Sequence, residues 1–323
     1  MNCRQLAFAL CVLLGVAPVQ AEETLTLSFA GDIMLDDGPG KVVADGRDPL
    51  VHFADWLTEA DYTIGNLECP VADVGGAKPG KIFAFQAKPS SLKVVQGRFD
   101  AVSLANNHSS DYGRAAFLQT IANLDAAGIK HFGGGRDLRT AHVPLWIEAK
   151  GLRVAVLGYN EFKPRAFEAG PDWPGVAWSE DAQVVADIRA ARAAGADLVI
   201  PFMHWGWERE PEPTTRQRSL AHLMIDAGAD VVVGAHPHIT QGAEYYRGKL
   251  IVYSLGNFVF DSFTTDATRT GWLLRLGLNR QGMTQWDTRI AFMDEEGIPQ
   301  PRPGASSPCG KAGDSRVQQC ANP

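Results

Sequence analysis

The segment VVVGAHPHIT (231–240) contains residues that could bind a metal ion. Its three valines are typical of a buried strand, Gly234 lets the backbone turn, and His236 and His238 then flank a proline. Imidazole nitrogens are common ligands of divalent transition metals. Whether this pair binds a metal depends on which other side chains the fold brings to the same place.

Similar endings follow the other apolar runs of the chain. Polar or ionisable residues stand at or just after the ends of these runs: Asp32, Glu68, Asn107, His108, Asn160, His204 and Asn257. In an open α/β sheet, ligands bind outside the carboxyl ends of the strands, and neighbouring strands lie about 4.8 Å apart. We therefore expect these side chains to converge on one edge of the sheet, together with His236 and His238.

Carboxylate, amide and imidazole groups together suit a divalent metal such as Zn, Mn or Fe. Such an ion lowers the pKa of a bound water, which then becomes a usable nucleophile near neutral pH. Two ions can bind if one carboxylate bridges them. Each residue also has a structural alternative: Asp32 in a turn, Glu68 capping a loop, Asn107 holding a turn, His108 as a half-buried histidine, and His204 in an aromatic cluster with Trp205 and Trp207.

Alternating strands and helices must position these residues. Apolar residues at three- and four-residue spacing predict helices over 115–127, 182–194 and 216–227, each followed by a glycine that ends it. Strands separated by helices indicate βαβ units and a largely parallel sheet. Segments 272–278 and 288–293 lack an intervening helix and are predicted to be antiparallel strands. After Gly297 the chain becomes rich in Pro, Gly and Ser, and we interpret residues 298–323 as a C-terminal tail.

The composition is that of a globular protein. With 323 residues, 45% of them hydrophobic, the chain can form one large α/β domain or two smaller ones. Its formal net charge is −7, and it has no run of Lys and Arg. This charge pattern argues against nucleic acid as a partner.

The N-terminus is typical of an export signal. Arg4 precedes a short apolar run over 6–19, and Val19 and Ala21 supply the small residues that a signal peptidase requires. The run is shorter than the roughly 20 residues of a membrane span. We therefore expect residues 1–21 to be cleaved and the mature protein to be soluble in the periplasm or outside the cell. An uncleaved anchor is the alternative.

Three cysteines follow the expected cleavage site. Cys309 and Cys320 enclose a short polar segment, and in an exported protein we expect a disulfide between them rather than two free thiols. Cys69 has no histidine nearby in the sequence. We interpret it as a buried thiol, with a nucleophile as the alternative.

Six motifs together resemble those of the CapA family of capsule and poly-γ-glutamate proteins: AGDIML (30–35), GNLECPV (65–71), SLANNHSSDYG (103–113), HWGWE (204–208), GAHPHITQGAE (234–244) and YSLGNFVFD (253–261). The resemblance implies an α/β fold, the calcineurin-like metallophosphoesterase sandwich of two β-sheets flanked by helices. We assign this domain to residues 22–297. It further implies that His108 is a general acid or leaving-group stabiliser, and that one or two ions are bound by Asp32, Glu68, Asn107, His204, His236 and His238.

The chain departs from the phosphoesterases in two motifs. They carry Asp-x-His in the first motif, whereas this chain has Asp32-Ile33-Met34, so one metal position lacks an imidazole. Their second motif supplies a bridging Asp. Asn66 and Glu68 compete for that position here, and we favour Glu68.

The resemblance implies two possible functions. One is an exported metal-dependent hydrolase that acts on a γ-glutamyl or related cell-envelope polymer, and the complete ligand set favours it. The other is a non-catalytic protein that binds or guides such a polymer within the capsule synthesis machinery, and the missing histidine favours it. Lys163, Arg165 and Arg209 follow strand ends and are candidates to bind an anionic polymer such as poly-γ-glutamate, with solvated surface charge as the alternative.

Overall fold

The structure is a computed structural model that describes residues 23–163, 165–261 and 263–323. The expected signal peptide, residues 1–21, lies outside the described residues. The strands are β1 (Leu25–Ile33), β2 (Tyr62–Leu67), β3 (Ala101–Ser103), β4 (Lys130–Phe132), β5 (Gly134–Gly135), β6 (Leu145–Ala149), β7 (Leu152–Asn160), β8 (Gly175–Val176), β9 (Leu198–His204), β10 (Val231–Ala235), β11 (Thr240–Tyr246), β12 (Lys249–Leu255), β13 (Asn257–Val259), β14 (Thr270–Asn279), β15 (Gly282–Met293), β16 (Pro299–Pro301), β17 (Ser306–Lys311) and β18 (Gln318–Ala321). The α-helices are α1 (Asp37–Ala44), α2 (Ala54–Glu59), α3 (Gly113–Ala127), α4 (Leu138–Ala141), α5 (Asp181–Ala193) and α6 (Thr215–Ala227), and 3₁₀ turns cover Val51–Phe53, Pro89–Val94 and Arg165–Phe167.

The strands form two large sheets. The first has the order β18-β17-β15-β14-β1-β2-β3-β4, with β13 beside β1 and β16 beside β15, and the second has the order β11-β12-β10-β9-β7-β6. In the first sheet the parallel strands are β1 to β4, on one side of the sheet, and in the second they are the central strands β12, β10, β9 and β7. Strands β14 and β15 pair antiparallel, as the sequence predicts for 272–278 and 288–293.

The two sheets pack face to face through one apolar core. Leu27 and Leu274 of the first sheet belong to the same buried cluster as Val154 and Val252 of the second. The rings of Phe29 (β1) and Phe202 (β9) contact edge to face at 5.5 Å between centroids. Alternate residues of each strand enter this core because successive side chains of a strand point to opposite faces.

Helices cover the outer face of each sheet. Helix α3 buries Phe117 and Ile121 in a cluster with strands of the first sheet, and α5 and α6 bury Ile188 and Leu220 in a cluster with strands of the second. The three helices that the sequence predicts are confirmed to within two residues at each end. The mixed α/β sandwich with helices on both faces is therefore the predicted fold class.

The C-terminal segment is not the tail that its composition suggested. Strand β17 pairs antiparallel with β15, and β18 pairs with β17, so residues beyond 297 extend the first sheet. Pro299 and Pro301 lie in β16, which among the described strands pairs only with β15, and proline is tolerated in a strand with one free edge. A disulfide between Cys309 and Cys320 joins β17 to β18, as predicted. Cys69 is a free buried thiol, also as predicted, and burial raises its pKa to about 12.

The chain crosses from the second sheet to the first at Gly256, which lies between β12 and β13. Gly256 has a φ of +66°, and its carbonyl accepts a hydrogen bond of 3.0 Å from the backbone N–H of Asp32. A Cβ atom placed on Gly31 would lie 1.9 Å from that carbonyl oxygen. Only glycine fits at position 31, and this close approach brings the end of β1 against the second sheet.

We predict that Gly31→Ala separates these two backbones and destabilises the fold. Overpacking of this kind typically costs about 1–3 kcal/mol in the free energy of unfolding, which urea denaturation would measure. Gly242→Ala in β11 is the matched control, since no described atom lies within 4 Å of its added Cβ. Equal stability of the two variants would contradict the proposed role of this contact.

Candidate metal centre

The predicted ligands lie at one rim of the sandwich, where the carboxyl ends of the parallel strands of both sheets meet. Asp32 lies near the end of β1, Glu68 directly follows β2, and His204 ends β9. Asn107 lies in the turn after β3, while His236 and His238 follow β10. All are buried except Asn107, which is half-buried. The sandwich therefore brings together all six side chains that the sequence selected.

Two groups of side chains have the spacing of metal ligands. One consists of Asp32, Glu68 and His204, and the other of Glu68, His236 and His238, and within each group the candidate ligand atoms lie within 4.8 Å of one another. Two ligands on one ion at 2.0–2.2 Å lie at most about 4.4 Å apart, so small movements complete either site. Glu68 belongs to both groups. Its position is that of a carboxylate shared by two ions.

The remaining contacts join these groups into one cluster. Nε2 of His204 lies 3.3 Å from Oε1 of Glu68 and 2.7 Å from Oδ1 of Asn107. Nε2 of His238 lies 3.9 Å from the same Glu68 oxygen. The rings of His204 and His236 have their centroids 4.5 Å apart. Asn107 therefore offers an amide oxygen to the same region as the imidazoles.

Some potential metal-ligand atoms of the cluster have no hydrogen-bond partner among the described residues. Both carboxylate oxygens of Glu68 and both ring nitrogens of His236 are buried, and within the described residues none of the four has a hydrogen-bond partner. Buried polar atoms are nearly always paired, and an unpaired buried carboxylate is costly. A divalent cation would bind the carboxylate of Glu68 and one ring nitrogen of His236. The residues present therefore fit the metal that the fold implies.

The electrostatics of the cluster also suit a cation. Burial raises the pKa of Asp32 to about 7, and burial together with the nearby Asp32 charge raises the pKa of Glu68 well above its usual value. Burial lowers the pKa of His204 and His236 well below normal and that of His238 to about 3. Neutral imidazoles keep a free lone pair for a metal, and carboxylates that are costly to ionise alone are stabilised by its charge.

The turn that carries the two histidines is strained. His236 has a φ of +100° and His238 a φ of +56°, a region that residues other than glycine seldom adopt. The backbone N–H of His236 donates to Oδ2 of Asp32 at 3.2 Å. Strain of this kind persists only where the surroundings enforce it, and it is concentrated at functional sites. Here it directs both imidazoles toward Glu68.

Two asparagines that were not predicted as metal ligands orient two of the predicted ligands. Nδ2 of Asn66 donates to Oδ1 of Asp32 at 2.8 Å, and Oδ1 of Asn257 lies 2.8 Å from Nδ1 of His238. Such partners commonly fix the orientation of metal ligands. Asn66 and Glu68 are the two candidates for the bridging position. Asn66 donates a hydrogen bond to Asp32, whereas the oxygens of Glu68 have no hydrogen bond among the described residues. Both asparagines stand at strand ends within the motifs, which is the signal that could have identified them.

His108 is oriented by two further residues that sequence reasoning missed. Its Nδ1 lies 2.7 Å from Oδ2 of Asp111, which also accepts a hydrogen bond from the backbone N–H of Phe85 at 2.9 Å. Lys81 forms an ion pair with Asp111 and donates to the carbonyl of Asn107 at 3.1 Å. Burial lowers the pKa of His108 although Asp111 opposes this. Asp111 follows His108 by three residues in the same motif, and this spacing is the signal from which their contact could have been predicted.

Met34 occupies the position where the phosphoesterases carry an imidazole. Its side chain is fully buried in the apolar cluster beneath the first sheet, and its sulfur accepts from the backbone N–H of Asp36 at 3.1 Å. Met34 belongs to neither candidate ligand group. The group around Asp32 therefore has a carboxylate pair and His204, without a second imidazole.

The three cations proposed to bind substrate lie beside the cluster but differ in availability. Arg209 lines a small cavity of about 40 Å³ together with His108 and His238. Lys163 and Arg165 line a second cavity, of about 250 Å³, that also contains Asn107. Arg165 is paired with Glu168 at 2.6 Å and Glu180 at 2.7 Å, so its charge is already compensated. Within the described residues, neither Lys163 nor Arg209 has an ion pair.

We predict that Glu68→Gln abolishes high-affinity metal binding. The substitution keeps the shape of the side chain and removes the charge common to both ligand groups. A ligand at about 100 times its Kd stabilises a protein by about 2.7 kcal/mol, so metal should raise the Tm of the wild type and not that of the variant. Elemental analysis and thermal unfolding would measure both effects.

His236→Ala should likewise lose metal while keeping the fold. Glu148→Gln, at an exposed carboxylate in β6, is the matched control for the loss of charge. Metal content equal to that of the wild type in Glu68→Gln or His236→Ala would refute the centre.

Comparison with known proteins agrees with this fold. A 5'-nucleotidase precursor from Thermus thermophilus superposes with a TM-score of 0.52 at 14% identity, over 86% of this chain and 56% of that one. The present chain thus spans just over half of that nucleotidase. At this identity the likeness concerns the fold, which is the calcineurin-like metallophosphoesterase fold. Along the described residues, no helix combines the length and the apolar character needed to cross a membrane.

Comparison of sequences identifies the family. The chain is 33% identical over 298 residues to the capsule biosynthesis protein CapA of Bacillus anthracis, covering 89% of this chain and 72% of that protein. It is 34% identical over 272 residues to the PGA biosynthesis protein CapA of Bacillus subtilis (strain 168), covering 83% and 71%. Residues 26–262 match the family described as "Bacterial capsule synthesis protein PGA_cap". The chain therefore belongs to this bacterial capsule synthesis protein family, which is the CapA family that its motifs resemble.

Proposed function

We propose that this protein is an exported metal-dependent hydrolase that acts on a γ-glutamyl or related anionic polymer of the cell envelope. The observation that carries the proposal is the buried cluster around Glu68, in which both oxygens of Glu68 and both ring nitrogens of His236 have no hydrogen-bond partner among the described residues. A purely structural cluster would pair these atoms with one another or with the backbone. Ligand atoms without hydrogen bonds, at a rim lined by cavities, are typical of a catalytic metal centre.

The ligands would hold one or two ions such as Zn, Mn or Fe. The side chains that would do so are Asp32, Glu68, Asn107, His204, His236 and His238. When bound, a divalent metal makes a coordinated water more acidic and polarises the carbonyl or phosphoryl group under attack. The protein's own contribution is to orient these ligands, through Asn66 and Asn257, and to exclude bulk water from them.

His108 is the candidate general acid. Asp111 binds its Nδ1, which fixes the plane of the ring and leaves Nε2 for a leaving group. Burial lowers the pKa of His108, and the protonated ring is therefore a stronger acid toward a departing amine or alkoxide. His108 also lines the same small cavity as Arg209, so an anionic substrate held there would contact both.

The family of the chain supports a role in capsule or poly-γ-glutamate metabolism. Its named relatives are biosynthesis proteins of that kind, and we extend that role to this chain. A polymer with one carboxylate per residue suits a rim that carries the proposed metal ligands together with Lys163 and Arg209, which form no ion pair within the described residues. The capsule synthesis machinery is the proposed partner, and export through the signal at residues 1–21 would bring the protein to it.

A non-catalytic polymer-binding role is the second candidate. Met34 favours it, because the thioether replaces the imidazole that the phosphoesterases carry at this position. A site with one weaker ion could still bind carboxylates of a polymer without cleaving it. The two functions differ in whether His108 is required, since proton donation to a leaving group matters only when a bond breaks.

We predict that His108→Ala lowers kcat on poly-γ-glutamate by about 10²-fold or more, the usual contribution of a general acid. Metal content and polymer affinity should stay unchanged, because His108 is not in either ligand group. Turnover would be followed by release of new amino groups, with a chromogenic phosphodiester assayed in parallel to test the alternative bond.

His131→Ala is the matched control for this experiment. His131 lies in β4 and also faces a carboxylate, with its Nε2 3.3 Å from Asp125, but it belongs to neither ligand group and lines neither cavity beside them. Full capsule assembly and polymer binding by His108→Ala, with no turnover by the wild type, would instead establish the non-catalytic role.

A further inference from the structure

One cavity beside the metal centre has an unusual excess of positive charge. It has a volume of about 250 Å³, and four cations line it: Lys78, Lys81, Lys163 and Arg165. A single carboxylate, that of Glu168, lines it with them. The formal charge of the whole chain is −7, so this concentration of cations runs against the charge of the protein. Such a local field attracts and orients anionic ligands.

The four cations divide into engaged and available groups. Lys81 pairs with Asp111, and Arg165 is held by Glu168 and Glu180. Both oxygens of Glu168 bind Arg165, so this carboxylate does not compensate the other cations. Within the part of the chain that the structure describes, Lys78 and Lys163 form no ion pair. Their ammonium groups are the ones available to a ligand.

The same cavity has an apolar wall. Phe162, Phe167 and Trp178 line it together with the cations. A wall of this kind makes no favourable contact with a bare phosphate ion, which is hydrated on all sides. It suits a ligand in which a charged group is joined to methylene carbons, because burial of each methylene contributes about 0.8 kcal/mol.

The cavity borders the metal centre. Asn107 lines it, and Oδ1 of Asn107 lies 2.7 Å from Nε2 of the proposed ligand His204. Phe162 lines it as well, and its ring lies 4.0 Å from that of His236. A ligand that fills the cavity would therefore contact Asn107, beside the other proposed metal ligands.

We infer that this cavity is a subsite for one glutamyl residue of a γ-linked polymer. A γ-linked glutamyl unit has one free α-carboxylate and two methylene groups in the polymer backbone. The carboxylate would contact Lys78 and Lys163, and the methylenes would pack on Phe162, Phe167 and Trp178. The neighbouring amide bond would then lie at the metal centre. This inference rests on the proposed function for the identity of the polymer, but the subsite itself requires only binding.

The test is a binding measurement that does not depend on turnover. A γ-linked glutamate oligomer is titrated into metal-loaded His108→Ala protein, and heat of binding gives the Kd. Lys78→Ala and Lys163→Ala should each raise the Kd by about three- to tenfold, the range for a charged contact near the surface. The double variant should raise it further. Both lysines are exposed, so neither change should disturb the fold.

The controls separate local charge from net charge. Lys311→Ala, at an exposed lysine in β17, removes the same charge at the edge of the first sheet and should leave the Kd unchanged. Lys163→Arg should retain most of the affinity. A γ-linked glutamate oligomer whose α-carboxylates are converted to amides (γ-linked isoglutamine) lacks that charge and should bind much more weakly to the wild type.

Three outcomes are decisive. Unchanged Kd values in Lys78→Ala, Lys163→Ala and the double variant would overturn the subsite, whatever the turnover of the wild type. Tripolyphosphate that binds with the same lysine dependence, while the glutamate oligomer does not bind, would overturn its assignment to a glutamyl residue. Lysine-dependent binding of the oligomer without any hydrolysis by the wild type would support the subsite and refute only the proposed hydrolase.

Discussion

The carboxylate of Glu68 is the charge around which the rim of this protein is arranged. It lies fully buried, and neither of its oxygens has a hydrogen-bond donor among the described residues. Such a group is tolerated only if a cation compensates it or if its pKa rises. The three imidazoles that face it stay neutral because burial lowers their pKa, so they do not supply the missing positive charge. A metal ion would supply this charge, and the spacing of the carboxylates and imidazoles fits one.

The surrounding structure holds these groups in a geometry that would not persist alone. Left-handed backbone at His236 and His238 is unfavourable, and buried polar atoms without partners add to the cost. The sandwich supplies the stabilisation, since its apolar core joins the inner faces of both sheets. Sites of this kind commonly give up stability for function. Asn66, Asn257 and the pair Asp111 and Lys81 then fix the orientation of individual ligands and of His108.

The proposed substrate follows from what lies next to the centre rather than from the centre alone. Metal ligands of this composition serve many hydrolytic reactions, and the fold is shared with nucleotidases. The cations and the aromatic wall beside Asn107 are features of this chain's own loops. Loops carry specificity on a rigid scaffold because they can vary without disturbing the core. The proposed ligand, a repeating anionic polymer, would contact both parts of the site.

The sequence alone determined the fold class, the helices and the six side chains at the rim. It did so because most of the parallel strands that position the site contain a short apolar run with a polar residue at or just after its end, and such endings meet when parallel strands pair. It also determined the disulfide between Cys309 and Cys320 and the buried state of Cys69.

Only the tertiary structure distinguishes Asn66, near the end of β2, from Glu68, directly after it. Asn66 donates a hydrogen bond to Asp32, whereas the oxygens of Glu68 have none among the described residues, and the sequence shows neither contact. The tertiary structure likewise revealed Asp111 and Lys81 behind His108 and the compensation of Arg165 by Glu168 and Glu180. It showed that the chain after Gly297 extends the first sheet. Composition could not show this, because strands near the edge of a sheet form by pairing with distant partners and need no strong sequence pattern of their own. Most of these features depend on contacts between residues far apart in sequence, which a local sequence pattern does not show.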